Sequence, residues 1–463
     1  CFFIKFEIKN FFEIVDLEFD KWTNVTESVQ VQPRFSPHPV ETNIFYFRYQ
    51  EGSEAKIFGH LADIVSSAVL GRMKNPEAKY HISEDFFDKT LQSYLEQSDV
   101  KKIDAGGGMI HGEVVDFAND PSEKLILAHS SLPFSEEQLS LQLKARNFVE
   151  KYIKKEAVKR DKIQKAEDRI PWDWIKLADQ EGFRTMGVPK EYGGTDQSIL
   201  NMCIVGEEFG VGDLGFAVIM DQCWKMSHLF KDAMNKEQKE RFIPQFVKDP
   251  IATTAIGITE PDIGSDHQGY YDHKDIGMKT TAVKDGNEYV LNGTKHYISN
   301  GCMAKLYFIT ARTDTSKPLN ESGAVFIVPS DTVGFETDFF HEKSSQRLAT
   351  NGCFHLKNCR ISEKNILLGE GKLVELRSKY MPGSKAEAAA TVLGVGRAAY
   401  EYAFDYAKNR KQGGKFIIEH QAISLMLAKM IMLLDGARLQ IWKAAWLADN
   451  SHLDARVQGL MAK

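Results

Sequence analysis

The sequence predicts a multidomain chain built in the order α/β, α, β, α, and three observations predict it. Apolar and polar residues alternate with period two over residues 1–20, and short strand-like runs recur up to residue 128. Helical spacing begins after Ser135 and continues to about residue 250. From about 251 to 372 the pattern turns to β, and after Gly371 it is helical again. The expected domains are an α/β segment at 1–131, a helical domain at 132–250, a β domain of barrel or sandwich type at 251–372, and a C-terminal helical bundle at 373–463.

The elements follow in order. Ile4, Phe6 and Ile8 lie opposite Lys5, Glu7 and Lys9, and Val15, Leu17 and Phe19 lie opposite Asp16, Glu18 and Asp20. Such alternation makes strands. Asn43–Arg48 and Lys124–Ala128 read as further strands, with a helix at Glu84–Glu96. Ser135 before Glu136, Glu137 and Gln138 offers a helix N-cap with acids in the first turn. Ala145, Phe148, Val149 and Tyr152 then recur at i, i+3, i+4, i+7. Gly187–Gly194 (GVPKEYGG) is a Gly/Pro turn. In EYVLNGTKHYISNG, Asn292-Gly293 between two strand-like runs predicts a hairpin, followed by strands at 306–312 and 324–329. Beyond Gly371, Ala389, Val392, Leu393, Gly396, Ala399, Tyr400 and Ala403 predict one long buried helix face.

Composition narrows the function. Over 463 residues, 43% are hydrophobic and 26% charged, with 58 Lys and Arg against 64 Asp and Glu for a formal charge of −6. That balance argues against a dedicated nucleic-acid binder. Six cysteines without a C-x-x-C pair predict neither a disulfide framework nor a zinc site, and point to a reducing compartment such as the cytoplasm. The most apolar segment, Leu425–Leu434, is interrupted by Lys429 and is far short of the roughly 20 residues that span a bilayer. The N-terminus CFFIKFEIKN lacks the pattern of a signal peptide and reads as if the chain starts inside a domain.

Three polar-aromatic segments carry the chemistry: Ile256–Ser265, Lys295–Gly301 and Arg410–Gln421. An isoalloxazine ring needs an aromatic to stack on it, and hydroxyls and backbone N–H groups along its edge. Tyr297, Thr259 and Ser299 are the right types, and Arg410 and Ser265 suit a pyrophosphate. Singly, a hydroxyl in such a loop is a turn former and a tyrosine in a strand is core packing.

In order and together, these segments resemble the acyl-CoA dehydrogenase family over about 132–463. ITEPDIGSD matches its T-E-P-x-x-G-S-D loop, and NGTKHYISNG its N-G-x-K-x-[WY]-I-[ST]-N-G hairpin. NRKQGGKFIIEHQ matches its R-x-x-F-G-x-x-x-x-x-x-Q helix, and GVPKEYGG its P-x-x-Y-G-G turn. The resemblance implies FAD as cofactor, an acyl-CoA substrate, an electron-transfer flavoprotein as acceptor, and a homodimer or homotetramer. Thr259, with the backbone at Ile256 and Ile258, would line the flavin edge, Tyr297 would stack on the ring, and Ser299 would bond near its N5. Ser265 would touch the cofactor pyrophosphate and the substrate's CoA, while Arg410 and Gln412 would reach the FAD of a neighbouring subunit.

There are departures. Gly413 stands where the family has Phe, and the loop after Asp266 (HQGYYDHKDIGMK) is long enough to cover the flavin or the acyl-CoA. Its His267 and His273 read as solvated residues rather than metal ligands. The implied reaction needs a desolvated carboxylate to take the α proton. Most of the family place it in a Tyr-Glu-Gly motif near the C-terminal end, beyond where this sequence stops, so the C-terminal domain reads as incomplete. A minority place it at the position of Ser384. Glu387, one helical turn on, is the candidate carboxylate nearest that site. The alternatives are a base on a segment outside this chain, or a non-catalytic flavin-binding or assembly subunit.

In the first segment His38, Asp63 and His129 stand within or just after strand-like runs. That order is similar to the later half of a metallo-β-lactamase-fold domain. The resemblance implies Asp63 and His129 as ligands to zinc or iron and a metal-dependent hydrolase activity. The equal reading is three polar residues at strand ends. DAGGGMIHG (104–112) lacks the Lys of a phosphate-binding loop.

Overall fold

In a computed structural model the chain forms two compact units, Cys1–Phe134 and Ser135–Lys463. The structure describes residues 21–24, 29–35, 43–51, 54–61, 74, 83–95, 97–98, 100–104, 124–128, 135–268 and 272–463.

The first unit holds a six-stranded sheet in sequential order: β1 (Thr23–Asn24), β2 (Val29–Phe35), β3 (Asn43–Glu51), β4 (Glu54–Leu61), β5 (Val100–Asp104) and β6 (Lys124–Ala128). The first four pair antiparallel, and β4–β5 and β5–β6 pair parallel. Parallel neighbours need a crossover, and α1 (Glu84–Tyr94) lies between β4 and β5 in the chain. The strands expected within 1–20 fall outside the described residues.

The second unit opens with α2 (Glu136–Phe148), where Ser135 and Gln138 cap each other reciprocally, followed by a π-helical turn over Val149–Ile153. Ala145, Phe148 and Val149 are buried as their spacing predicts. Next come α3 (Lys154–Asp161), α4 (Trp172–Gln180), α5 (Ile199–Gly212), α6 (Leu214–His228) and α7 (Lys236–Lys248). Helices α5 and α6 are apolar on most faces, and they are accordingly the buried centre of the layer.

The sheet that follows comprises β7 (Thr254–Gly257), β8 (Thr281–Asp285), β9 (Glu288–Ser299), β10 (Leu306–Arg312), β11 (Gly323–Pro329), β12 (Phe335–Phe340), β13 (Asn351–Ser362) and β14 (Ile366–Leu368). Its order is β12-β13-β9-β8-β10-β11-β14, with β7 on β10. Asn292-Gly293 is not the hairpin turn, because β9 runs through it. The chain reverses at Gly286-Asn287, between the paired Asp285 and Glu288, and Gly286 has φ +64°. Gly293 serves a close approach instead: a Cβ there would stand 2.4 Å from Thr280 Oγ1.

Helices α8 (Ser384–Asn409), α9 (Gln421–Asp449) and α10 (Ala455–Ala462) complete the unit. The buried face of α8 differs from the expected one. Val392 is 55% exposed and Ala399 is exposed, while Ala386, Ala389, Ala390, Leu393 and Gly394 are buried. The reason is contact with α5, so close that a Cβ on Gly394 would lie 2.2 Å from the Glu207 carbonyl oxygen. Residues 410–416 are likewise not helical, and only a 3₁₀ turn at Ile417–Glu419 follows. Lys411–Gln412 and Lys415–Phe416 form a small hairpin around Gly413 and Gly414, whose φ values are +61° and +82°.

Candidate active site

Strand β7 ends at Gly257 and releases the stretch Ile258–Asp266 as a loop. Glu260 turns inward from it and is 3% exposed. Its carboxylate accepts from Lys295 Nζ (2.9 Å), the Thr280 hydroxyl (2.6 Å) and the backbone N–H groups of Lys279 (2.6 Å) and Thr280 (3.0 Å). Burial alone would raise its pKa; Lys295 and Thr280 outweigh that and hold it below the ordinary glutamate value. A second tie joins the loop to β9, where His296 N–H donates to the Thr259 carbonyl at 2.9 Å.

Strand β9 departs from simple alternation where it meets β13. Gly352 pairs with Ile298 and Phe354 with Lys295, so His296 and Tyr297 together face the single residue Cys353. This is a β-bulge, with Tyr297 at φ +59°. It stacks the His296 and Tyr297 rings face to face, centroids 4.2 Å apart and 6° from parallel, with the His341 ring 4.6 Å from that of Tyr297. Lys295 turns into the core at 0% side-chain exposure, whereas Tyr297 is 54% exposed. Asn300, also at positive φ, fixes the strand's end by donating to the carbonyls of Ile219 (3.3 Å) and Thr254 (3.2 Å).

A cavity of about 390 Å³ adjoins this group. Ile256 and Ile258 line it from β7 and its loop, Gln222, Lys225 and Met226 from α6, and Ser384, Lys385 and Ala388 from α8. Arg456, Leu460 and Lys463 close it from the region of α10. Ser384 therefore faces the cavity, but Glu387 is not among its lining residues. Glu387 is 2% exposed, its Oε1 is 3.1 Å from His228 Nε2, and its Oε2 has no partner among the described residues. Behind Lys225 stands Asp221, bonded to its ammonium and 2% exposed. Burial pushes Asp221 up to about 6, with Lys225 opposing and Glu387 adding to the rise.

The residues present fit a flavin. The exposed Tyr297 ring stands on the strand that ends at Ser299, Thr259 is tied to the neighbouring His296 through the backbone, and the Thr259 and Ser299 hydroxyls have no hydrogen-bond partner among the described residues. Ser265 is exposed at the first residue of a short 3₁₀ turn. Arg410 and Gln412 lie exposed at the small hairpin after α8, and no described residue of the same chain pairs with the Arg410 guanidinium. His267 lines the cavity, and His273 is exposed near Asp275. Arg312 pins the long loop by donating to the carbonyls of Lys274 (2.6 Å) and Ile276 (2.7 Å). His38, Asp63 and His129 lie outside the described residues.

Models of the acyl-CoA dehydrogenase N-terminal, middle and C-terminal domains match residues 135–249, 255–359 and 379–463. The chain belongs to the acyl-CoA dehydrogenase family. It is thus a flavoprotein oxidoreductase by family. The short-chain specific acyl-CoA dehydrogenase of Sus scrofa mitochondria is 30% identical over 336 residues, 72% of this chain and 78% of that protein. The butyryl-CoA dehydrogenase structure from Megasphaera elsdenii has TM-score 0.66 at 26% identity, covering 72% of this chain and 84% of that one. The glutaryl-CoA complex of a glutaryl-coenzyme A dehydrogenase has TM-score 0.64 at 28% identity, covering 72% and 82%.

Sequence reading passed over Glu260 and Lys295, although both stand inside the matched motifs. It also passed over Asp221, Lys225 and His228, which fall at i, i+4 and i+7 in the otherwise apolar run LGFAVIMDQCWKMSH. A charged stripe on a buried helix was the available signal.

Proposed function

We propose that this acyl-CoA dehydrogenase family member oxidises an acyl-CoA thioester to the 2,3-enoyl-CoA and delivers the electrons to an electron-transfer flavoprotein. FAD, when bound, supplies the acceptor for the β hydride. Tyr297 stacks on the ring, Thr259, Ser299 and the backbone of Ile256 and Ile258 bond its edge, and Ser265 holds the pyrophosphate and the substrate's CoA. Ile256, Ile258, Met226 and Leu376 give the thioester an apolar surround that excludes water. Glu387 is this chain's candidate for removing the α proton; it is bonded to His228 and does not line the cavity, so the role requires that its side chain turn toward Ser384. Arg410 and Gln412 serve the FAD of a second copy, in a homodimer or homotetramer. Exposed apolar residues on α8 and α9 support that assembly, among them Tyr402 (77%) and Met432 (71%).

The observation that carries the reading is the bulge that exposes Tyr297 on the strand that bears Ser299 and is tied through His296 to Thr259. Anaerobic titration of the purified flavoprotein with acyl-CoAs tests it, and bleaching of the flavin absorbance is expected. A preparation that takes up no FAD would sink the reading. The second reading is the non-catalytic one. Bound FAD that no acyl-CoA bleaches, in a chain shown to be full length, would make the protein a flavin-binding or assembly subunit.

A further inference from the structure

Strand β12 is the edge strand of the larger sheet and pairs with β13. Its register shifts between Thr337, opposite Phe354, and Phe340, opposite Gly352, so Asp338 and Phe339 together face Cys353. Cys353 therefore stands between two bulges, this one and the one that carries His296 and Tyr297. Asp338, Cys353 and His355 each offer a ligand atom at this place, and the three atoms all lie within 4.8 Å of one another. Cys353 is 3% exposed, and its thiol donates to no described residue. The Asp338 and His355 side chains are 45% and 29% exposed, so solvent reaches the cluster from their side. His355 is held at both ring nitrogens, with Nε2 3.0 Å from Asp338 Oδ2 and Nδ1 2.9 Å from Thr294 Oγ1. When the Thr294 hydroxyl accepts from Nδ1–H, Nε2 keeps its lone pair, the state in which an imidazole binds a metal. An aspartate–histidine contact on a sheet edge explains two of these groups and leaves the buried thiol without a role.

We propose that Asp338, Cys353 and His355 form a site for one zinc-class divalent cation, with water in the fourth position, that clips the edge strand β12 to β13. The donor set selects the ion: sulfur, imidazole nitrogen and carboxylate oxygen suit zinc, whereas magnesium and calcium take oxygen ligands. On binding, the Cys353 thiol proton leaves to solvent, and the thiolate and the Asp338 carboxylate balance the two charges of the cation. Ligand atoms on a tetrahedral zinc stand about 3.3–3.6 Å apart, so shifts of about 1 Å close these three onto the ion. No C-x-x-C pair announces the site, because Cys353 and His355 alternate on one strand and Asp338 comes from another, 17 residues from His355. The inference does not depend on the acyl-CoA reading.

The test uses the full chain, stripped of metal with a chelator and dialysed. It is titrated calorimetrically with Zn²⁺ in excess Mg²⁺, and with Co²⁺ while the absorption spectrum is recorded. A single equivalent of zinc is expected, together with thiolate-to-cobalt charge-transfer absorption. Zinc is also expected to raise the unfolding temperature. Cys353→Ser is expected to abolish the charge-transfer absorption and to weaken zinc at least about a hundredfold, since losing an outer partner alone costs about 10–100-fold. Asp338→Asn and His355→Gln change exposed side chains, so they decide the matter if the cysteine variant does not fold. Both are expected to weaken zinc by a similar factor and to lose the rise in unfolding temperature. Uptake of less than one equivalent overturns the inference, as does cobalt bound without thiolate absorption. Zinc held equally well by all three variants also overturns it, and would place the metal elsewhere in the chain.

Discussion

Lys295 Nζ lies 2.9 Å from Glu260 Oε1, and neither side chain is more than 4% exposed. The pair joins the loop after β7 to strand β9 across 35 residues of sequence. One partner thereby holds Thr259 in place and the other sits two residues before Tyr297. Burial pulls the Lys295 pKa below the ordinary lysine value, with Glu260 opposing. The ion pair is therefore a device for geometry more than for net stability.

Lys295→Met leaves the Glu260 carboxylate buried without its cation. The expected cost is about 3–5 kcal/mol, the scale for breaking a buried pair by removing one partner. Urea unfolding measures it, and retained flavin measured in the same preparation is expected to fall. A variant as stable as the parent would show that the pair does not hold the loop.

Tyr297→Ala removes the exposed ring of the bulge. Aromatic contact is worth about 0.5–1.5 kcal/mol, so FAD affinity is expected to weaken about tenfold at most, with Tyr297→Phe near the parent. Flavin fluorescence on titration reads this directly. Unchanged affinity in the alanine variant would remove Tyr297 from the flavin site.

His228 and Glu387 give a pH dependence of defined sign. Burial alone would lower the His228 pKa, but Glu387 outweighs it and holds the imidazole above its ordinary value of 6.5. A raised folded-state pKa contributes stability that is fully present below 6.5 and lost as pH rises through the folded value. The stability gap between the parent and His228→Gln is thus expected to shrink as pH rises above 6.5. Parallel denaturation curves for the two proteins across that window would refute the assignment.

Arg397 on α8 donates to Glu207 (2.8 Å) and Glu208 (2.5 Å), which are 3% and 1% exposed on α5. Arg438 and Arg146 complete the network on Glu207 and Glu208 respectively. Arg397→Met is expected to cost about 3–5 kcal/mol, since both carboxylates stay buried with one cation fewer. Equilibrium unfolding that shifts by less than about 1 kcal/mol, the scale of an exposed pair, would mean that solvent compensates the loss.

Much of the fold was legible because its signals are local. The Ser135–Gln138 capping box, the helical spacing of Ala145, Phe148 and Val149, and the strands at 306–312 and 324–329 are each set within a few residues. Two equally local signals misled. Asn292-Gly293 carries the strongest short-range turn pattern, yet the neighbouring Asp285-Gly286-Asn287 makes the turn, because Gly293 is needed where Thr280 presses on the backbone. The buried face of α8 was misjudged because Gly394 and the alanines beside it, not Val392, meet α5.

The sequence by itself determined the order of layers, the loop Ile258–Asp266 and the chemical types gathered near it, through periodicity and motifs that do not depend on distant residues. Tertiary structure alone decided that His296 and Tyr297 share one place opposite Cys353, that Glu260 finds Lys295, and that Lys225 faces a cavity while Glu387 turns to His228. The physical reason is register and burial. A bulge exists only relative to its partner strand, and a charge is taken out of water only when the folded chain supplies its counter-charge.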